Sequence, residues 1–326
     1  MMKNGSFVIS LDFELHWGIF DHTSVEQYQE NLDAVKPIIH RLLELAHRYE
    51  VELTFATVGF LFARSKKELK TFMPSDVPSY TFRKYDPYAL LDVIGDSEEN
   101  DPYHYAPSLI EEIRKHPQHE IGTHTFSHYY CLEDGQTAEQ FRQDIEAAVA
   151  IAGKEELELQ SIVFPRNQLS HSHLKVCKDF GITSYRGTEN HWVFKHGQFT
   201  NANYLTRLIR LADSYVNITG SNTYNQQKLK DSLGLMNLPS SRFLRPFSKK
   251  LSFLESLKIR RITKGMKYAA RRNELFHLWW HPHNFGKNTD ENFKNLEEIF
   301  KTYKELNETY GFDSVTMTKL TKLIDV

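Results

Sequence analysis

Two histidines four residues apart, His124 and His128, and a pair of acidic residues near the N-terminus, Asp12 and Glu14, are the residues best suited to chemistry. Each pair follows an apolar run typical of a buried strand, and α/β folds place their sites at the carboxyl ends of such strands. Two imidazoles and one carboxylate form a minimal metal-binding set that leaves a position open for water. Because the second carboxylate can transfer protons, the four residues predict metal-assisted hydrolysis.

The bulk properties are those of an ordinary globular protein. The chain has 326 residues, of which 40% are hydrophobic and 25% charged, and its formal net charge is −2, so nothing global indicates nucleic-acid binding. Two cysteines make no disulfide framework, and the N-terminal residues lack the apolar core of a signal peptide. No apolar run approaches the length of a membrane span. These features predict a cytoplasmic protein.

Strand-like and helix-like stretches alternate along the chain. Strands are predicted at 6–12, 51–58, 120–123, 161–164, 182–186, 275–281 and 314–316, and helices at 25–49, 137–153, 171–180 and 289–310. This alternation favours parallel strands with helices outside them, closed or nearly closed into a barrel. Two irregular stretches, at about 64–105 and 187–273, interrupt it. The simplest interpretation is one domain over 1–326 with two long insertions.

Four segments resemble the motifs of the polysaccharide deacetylase family, the NodB-homology or carbohydrate esterase 4 type. Residues 10–14, Ser-Leu-Asp-Phe-Glu, resemble the first motif in the form that places one residue between the carboxylates. Residues 119–128 are similar to the second motif, 164–168 to the third and 279–283 to the last. The resemblance implies an α/β fold, a distorted (β/α)7 barrel, and hydrolysis of an N-acetyl group on a sugar.

The resemblance also implies a role for each polar residue of these motifs. Glu14, His124 and His128 would hold one divalent metal ion, Zn by default, with Co, Mn or Fe as alternatives. Asp12 would be the general base. His281 would protonate the leaving amine, a task that suits an imidazole with an unperturbed pKa of about 6.5.

The remaining predicted residues orient these groups or contact the substrate. Arg166 would keep Asp12 charged and oriented, and a backbone N–H near Asn167 would stabilise the oxyanion. Trp17, Asn167 and His283 are the predicted substrate contacts, and His283 is also the second choice for the acid. The alternative for Trp17 is a packing role.

The third motif departs from the family pattern, which has arginine before proline. Here Phe164 precedes Pro165, and Arg166 follows it. Either Arg166 reaches Asp12 from a shifted position, or another arginine such as Arg186 takes its place. The departure keeps open a non-catalytic carbohydrate-binding or assembly protein with a degenerate site.

Residues 242–272 form a basic segment with eleven Lys or Arg residues and a single acidic residue, Glu255. Such a segment can lie on an anionic membrane surface, hold a phosphate, or form a solvated helix over the barrel. It favours an enzyme in the cytoplasm, peripheral at the inner face of the membrane. The carbohydrate substrate would then be a surface polysaccharide or its nucleotide-linked or polyprenyl-linked precursor.

Two other functions use a similar set of ligands. One is hydrolysis of a non-sugar amide or cyclic amide at the same metal site. The other is the chemistry of non-haem iron oxygenases, which also use two histidines and a carboxylate. The four-residue histidine spacing and the alternation of strands and helices argue against an oxygenase.

Overall fold

The computed structural model describes residues 4–194 and 204–325. In this part of the chain, ten strands pair into one sheet: β1 Ser6–Phe13, β2 Thr54–Thr57, β3 Glu120–Thr123, β4 Ser161–Ile162, β5 Ser184–Tyr185, β6 Tyr224–Asn225, β7 Met236–Asn237, β8 Arg242–Phe243, β9 Glu274–Trp280 and β10 Asp313–Ser314. The α-helices are α1 Val25–Asp33, α2 Val35–Tyr49, α3 Lys66–Thr71, α4 Pro107–Arg114, α5 Ala138–Lys154, α6 His171–Asp179, α7 Tyr204–Asp213, α8 Glu255–Arg272, α9 Thr289–Tyr310 and α10 Met317–Asp325. No helix within these ranges is long and apolar enough to cross a membrane.

The parallel strands form a ring. Strands β9, β1, β2, β3, β4 and β5 lie side by side in that order. The segment 236–243 then joins the two ends, because β7 pairs with β5 and β8 pairs with β9, both in parallel. At this junction the N–H of Ser241 donates to the carbonyl of His277 at 2.7 Å. The short ladders close a distorted barrel, so the predicted α/β fold, a (β/α)7 barrel, is confirmed.

Side chains of β1 alternate between two environments, as expected for an extended strand. The outward-facing side chains belong to the large core between strands and helices: Phe7, Ile9, Leu11 and Phe13. On the other face, Val8 packs with apolar residues from several strands inside the ring. Ser10 and Asp12 continue this inner face toward the carboxyl end of the strand. The ring is therefore apolar at one end and polar at the other.

The predicted helix over 25–49 is two helices, and Pro37 explains the break. Proline has no N–H, so it cannot donate to the carbonyl of residue 33, where α1 ends. Ser24 begins α1 with a capping box that includes Gln27.

The stretch predicted as a second insertion, 187–273, is partly built into the barrel. It supplies β7 and β8, and α8 buries Ile262 and Met266 in the main core. Part of the stretch predicted as an insertion therefore belongs to the barrel, and its strands are too short to show periodicity. Residues 195–203 lie outside the described residues. The stretch 64–105 packs Leu69 and Tyr105 into the main core. The single domain with insertions stays a prediction.

Candidate active site

The polar residues of the predicted motifs meet where parallel strands end. Asp12 lies near the end of β1 and Glu14 directly follows it, while His124 follows β3 and His281 follows β9. Arg186, one residue after β5, reaches the same place. The side chain of His281 is 22% exposed, whereas that of Glu14 is 4% exposed. His281 therefore lies nearest the solvent.

Glu14 is the centre of two histidine sets. Its Oε2 atom lies 3.1 Å from His124 Nε2 and 3.2 Å from His128 Nε2. Its Oε1 atom lies 3.5 Å from His281 Nε2 and 3.9 Å from His283 Nε2. In each set the ligand atoms lie within 4.8 Å of one another, so each could hold a metal ion. Burial alone would raise the pKa of Glu14, but the imidazoles hold it well below its ordinary value.

The hydrogen bonds of the imidazoles distinguish the two sets. Nδ1 of His124 lies 2.8 Å from the carbonyl of Val163 and must donate to it, so Nε2 keeps its lone pair. That lone pair faces Glu14. A carbonyl that fixes the ring in this way is the usual support of a metal-binding histidine.

His281 has the opposite tautomer in its neutral form. The Tyr28 hydroxyl donates to Oδ1 of Asn284 at 3.0 Å, which turns the amide nitrogen of Asn284 toward His281. That nitrogen donates to Nδ1 of His281 at 3.1 Å. Nε2 of His281 therefore carries the hydrogen and is a donor rather than a metal ligand. The set of Glu14, His124 and His128 is the better metal site.

A divalent cation fits this set electrostatically. Glu14 is buried, and within the described ranges its ion-pair partners are all histidines. A buried carboxylate without a full positive charge beside it is costly, and a cation would remove that cost. Two imidazole nitrogens and one carboxylate oxygen are also the protein ligands of many catalytic zinc sites.

A short, strained loop brings His124 and His128 to the same carboxylate oxygen. Thr125 and His128 have φ angles of 65° and 59°, in the left-handed region that non-glycine residues seldom adopt. Asp144, on α5, accepts hydrogen bonds from the N–H groups of Phe126 at 2.7 Å and Ser127 at 3.1 Å. Burial raises the pKa of Asp144 to about 6 although these bonds favour its charged form. Asp144 thus fixes the loop, a role that its sequence position does not reveal.

Arg186, not Arg166, holds Asp12. Nη1 of Arg186 lies 2.6 Å from Oδ1 of Asp12 and Nη2 lies 2.8 Å from Oδ2, which is a two-pronged ion pair. Arg186 is fully buried and its guanidinium lies 4.1 Å from the centroid of the Trp279 ring. Burial alone would raise the pKa of Asp12, but the ion pair with Arg186 lowers it overall. Asp12 is therefore kept as a charged base.

The prediction that Arg166 orients Asp12 is wrong. Arg166 and Asn167 both have left-handed φ angles, 54° and 52°, and the chain turns sharply after Pro165. The Arg166 side chain lies over the ring of Tyr130, 4.2 Å from its centroid, and pairs with Asp21. Of the two arginines considered from the sequence, Arg186 takes the place beside the base.

A chain of hydrogen bonds inside the barrel supports Arg186. Its Nη1 also donates to Oγ of Ser10 at 3.0 Å, and Ser10 lies 2.8 Å from Nε2 of His277. Nδ1 of His277 donates to the carbonyl of Leu238 at 2.8 Å. Burial, aided by the nearby Arg186, lowers the pKa of His277 to about 3. Sequence reasoning missed His277, although strand alternation places it on the same face as His281.

The three predicted substrate contacts differ in position. Trp17 is fully buried, and its Nε1 donates to the carbonyl of His104 at 2.9 Å, so the prediction that Trp17 contacts substrate is wrong. Its ring instead packs edge-on against Phe60 at 4.7 Å between centroids. His283 is only 3% exposed and lies behind His281, with ring centroids 5.3 Å apart. Burial lowers its pKa to about 3, and its contact with a substrate stays a prediction.

Asn167 does lie beside the catalytic candidates. Its Oδ1 accepts a hydrogen bond from Nη2 of Arg186 at 3.2 Å. Its backbone N–H, however, donates to the carbonyl of Phe164 at 2.8 Å. The N–H of Asn167 is therefore committed to its own turn, and the stabilisation of an oxyanion by another N–H near Asn167 stays a prediction.

Comparison with known proteins agrees with this geometry. The sequence model of the polysaccharide deacetylases matches residues 33–185, which include His124 and His128. Over residues 33–185 the chain therefore matches the polysaccharide deacetylase family. The matched range does not include Asp12, Glu14 or His281, so their place in the site rests on the structure. A comparison with curated proteins gives no significant match.

Solved structures show how widely this deacetylase fold is shared. A candidate polysaccharide deacetylase from Mycobacterium smegmatis aligns over 100% of this chain and 92% of its own, with 12% identity and a TM-score of 0.60. Another, from Pseudomonas aeruginosa, aligns over 97% and 89%, with 9% identity and a TM-score of 0.50. A 4-alpha-glucanotransferase from Thermococcus litoralis aligns over 98% and 40%, with 12% identity and a TM-score of 0.54. At these identities the likeness is one of fold, and function must be argued from the site.

Proposed function

We propose that this protein is a metal-dependent hydrolase that removes an N-acetyl group from an amino sugar. The sugar would belong to a surface polysaccharide or to its lipid-linked or nucleotide-linked precursor. The observation that carries the proposal is the meeting of a metal-binding set with a base held in its charged form. His281 Nε2 lies 3.5 Å from Glu14 and 3.6 Å from Asp12, so the predicted acid, metal ligand and base lie close together.

Glu14, His124 and His128 would hold the metal. A divalent cation bound there would polarise the acetamide carbonyl and lower the pKa of the attacking water. Zinc suits two imidazole nitrogens and a carboxylate oxygen best, and Co, Mn or Fe accept the same ligands.

Asp12 would take a proton from the attacking water while the water oxygen bonds to the acyl carbon. Arg186 keeps both carboxylate oxygens of Asp12 oriented and charged for that step. His281 would give its Nε2 proton to the leaving nitrogen as the C–N bond breaks; for this it must be an imidazolium, with the oxygen rather than the nitrogen of the Asn284 amide facing its Nδ1 hydrogen. Oδ2 of Asp12 lies 3.6 Å from the same imidazole nitrogen, so the proton taken from the water would pass from Asp12 to His281 and replace the one that left. The products are acetate and the free amino sugar.

Acetate release is the test of this function. The protein would be stripped of metal, reloaded with Zn, and assayed on N-acetylglucosamine oligomers and on UDP-N-acetylglucosamine. The Asp12→Asn variant should lose a factor of about 10²–10⁴ in kcat/KM, the usual contribution of a general base, while its zinc content stays at the wild-type value. Asp21→Asn is the matched control, because Asp21 pairs with Arg166 outside the metal set. Full activity of Asp12→Asn, or no acetate from any substrate with metal loaded, would contradict the proposal.

We also propose that the protein binds peripherally to the inner face of an anionic membrane. Only part of the basic segment is available for this: Arg242 and Arg261 pair with buried Asp213, and both are themselves buried. Lys258 is also buried, and other residues of the segment form an exposed stripe that begins before α8. Phe253 is 75% exposed and Leu257 is 41% exposed.

Basic residues flank these two apolar side chains, and they are exposed as well: Lys249, Lys250, Arg260 and Lys264. Apolar side chains beside lysines and arginines are the composition of interfacial helices. Each Lys near an anionic surface contributes about 1 kcal/mol to binding, so reversing two charges should lower partitioning at least about tenfold.

Vesicle flotation tests the membrane proposal. Wild-type protein should float with vesicles that contain phosphatidylglycerol and not with pure phosphatidylcholine, and Lys249→Glu/Lys250→Glu should abolish flotation. Lys175→Glu/Lys294→Glu is the control with the same change of charge, at exposed positions of α6 and α9. Equal flotation of the two double variants would refute a role for the stripe.

A further inference from the structure

A small basic cavity adjoins the candidate active site. Its volume is about 180 Å³, and its wall includes Arg210 of α7, Arg245, and Lys258 of α8. Trp279 and Asn167 also line the cavity. The cavity is several times larger than the ~30 Å³ that a water molecule occupies in the liquid, so a phosphoryl group can enter it.

The cavity shares a wall with the catalytic candidates. Arg186, which holds Asp12, lies over the Trp279 ring and donates to Asn167. The Trp279 ring centroid is 5.6 Å from that of His281. A ligand in the cavity would therefore be a near neighbour of the base and the acid.

Positive charge exceeds negative charge around this cavity. Three carboxyl groups lie there or pair with its residues: Asp213 with Arg242 and Arg261, Glu255 with Lys258, and Glu189 in the wall. Burial raises the pKa of Glu189, which works against its charged form. Arg210 and Arg245 form no ion pair within the described ranges, and residues 195–203 contain no aspartate or glutamate.

The two arginines keep their outer nitrogens available. Within the described ranges, Nε of Arg210 donates to the carbonyl of Val193 and Nε of Arg245 donates to Oγ of Ser214, each at 2.7 Å. No other hydrogen bond joins either guanidinium group to these parts of the chain. Burial lowers the pKa of both arginines, although Glu189 partly opposes this at Arg210, and the charge of Arg210 further lowers the pKa of Arg245. An anion between them would offset this lowering, and the guanidinium fork matches two phosphate oxygens.

We propose that this cavity binds the phosphate group of a phosphate-linked amino sugar, an inference that rests on the N-deacetylase function proposed above. The sugar would lie on Trp279 and Phe243, whose ring centroids are 4.6 Å apart and which both face the cavity. Aromatic faces suit the apolar face of a sugar ring. The phosphate would be the link to a nucleotide or to a polyprenyl carrier, because both carry the same chemistry next to the sugar.

Binding to metal-free protein tests the cavity without turnover and without metal–phosphate contacts. Calorimetric titration would compare N-acetylglucosamine 1-phosphate with N-acetylglucosamine. Wild-type protein should bind the phosphorylated sugar about tenfold more tightly or better, since hydrogen bonds to charged groups are among the stronger ones. Arg210→Gln/Arg245→Gln should bind both sugars equally, whereas Lys175→Gln/Lys294→Gln should keep the preference. Equal binding of both sugars by the wild type overturns the proposal.

A second measurement keeps the test decisive if the double variant folds poorly. Inorganic phosphate should compete with N-acetylglucosamine 1-phosphate for the wild-type protein and leave N-acetylglucosamine binding unchanged. Absence of competition overturns the proposal.

Acetate release by Zn-loaded protein separates this inference from the proposed function. Phosphate-dependent binding without acetate release supports the cavity and contradicts the deacetylase. Acetate release with equal kcat/KM for neutral and phosphorylated sugars supports the deacetylase and overturns the cavity. Preference for UDP-N-acetylglucosamine or for N-acetylglucosamine on a short polyprenyl diphosphate supports the phosphate site, and the better of the two identifies the carrier.

Discussion

Replacing Arg186 with glutamine should affect both stability and the pH dependence of activity. Arg186 is fully buried and joins Asp12 through contacts of 2.6 and 2.8 Å. Removing one partner of a buried ion pair costs about 3–5 kcal/mol, because the other charge stays buried without compensation. The free energy of unfolding of Arg186→Gln should therefore fall by that amount. Burial, no longer opposed by Arg186, should also raise the pKa of Asp12.

A base with a raised pKa is protonated over more of the acidic range. The acidic limb of the kcat/KM profile should therefore move to higher pH in Arg186→Gln, and at neutral pH the rate should fall by a factor of up to about 10²–10⁴. The assay is acetate release by Zn-loaded protein between pH 4 and pH 9, in parallel with urea unfolding to measure the stability change.

Arg166→Gln is the matched control for this prediction. It also breaks an ion pair with a buried carboxylate, that of Asp21, and so should destabilise the protein. It leaves the Arg186–Asp12 pair intact, so its acidic limb should stay at the wild-type pH. If the limb moves in Arg166→Gln and stays in place in Arg186→Gln, the assignment of Arg186 to the base is wrong.

Three further predictions concern the support of the site. His277 has a pKa of about 3 in the folded protein and about 6.5 in the unfolded chain, so the stability that neutral His277 contributes is lost as pH falls from 6.5 toward 3. Between pH 7.5 and 5, the free energy of unfolding of His277→Gln, measured in urea, should therefore fall by about 2 kcal/mol less than that of the wild type. Parallel curves for the two proteins would contradict this. Asp144→Asn should destabilise the protein by about 1–3 kcal/mol, because one loop N–H loses its acceptor. It should also weaken Zn binding measured by calorimetry, and an unchanged Zn affinity would count against a positioning role for Asp144. Zn at 100 times its dissociation constant should stabilise the protein by about 2.7 kcal/mol, and Glu14→Gln should respond far less; equal thermal shifts would argue against Glu14 as a ligand.

The fold follows from the sequence wherever strands and helices are long. The helix over 289–310 and the strand over 120–123 are confirmed at both ends. Their periodicity and their stops, such as Gly311 with its φ of 65°, are local signals. The junction at 236–243 has no such local signal. Its two strands are only two residues long, and they form because they pair with β5 and β9.

The sequence predicts which residues gather at the strand ends, but not which of their side chains contact one another. Strand order places Asp12, Glu14, His124 and His281 together, and the structure brings them within hydrogen-bonding or ion-pair distance. Which arginine reaches Asp12 depends on the left-handed turn at Arg166, and that turn is not visible in residue types. Trp17 follows the same strand as Glu14, yet a turn with a φ of 48° at Leu15 sends it into the core.

Metal content is the most direct measure of the central claim, that Glu14, His124 and His128 form the metal site. Elemental analysis of Zn-loaded wild-type protein should give close to one metal ion per chain. His124→Gln and His128→Gln should lose that metal, while His281→Gln and His283→Gln, in the second histidine set around Glu14, should retain it. Retention by the first pair with loss by the second, or a wild-type protein that takes up no metal, would contradict the account.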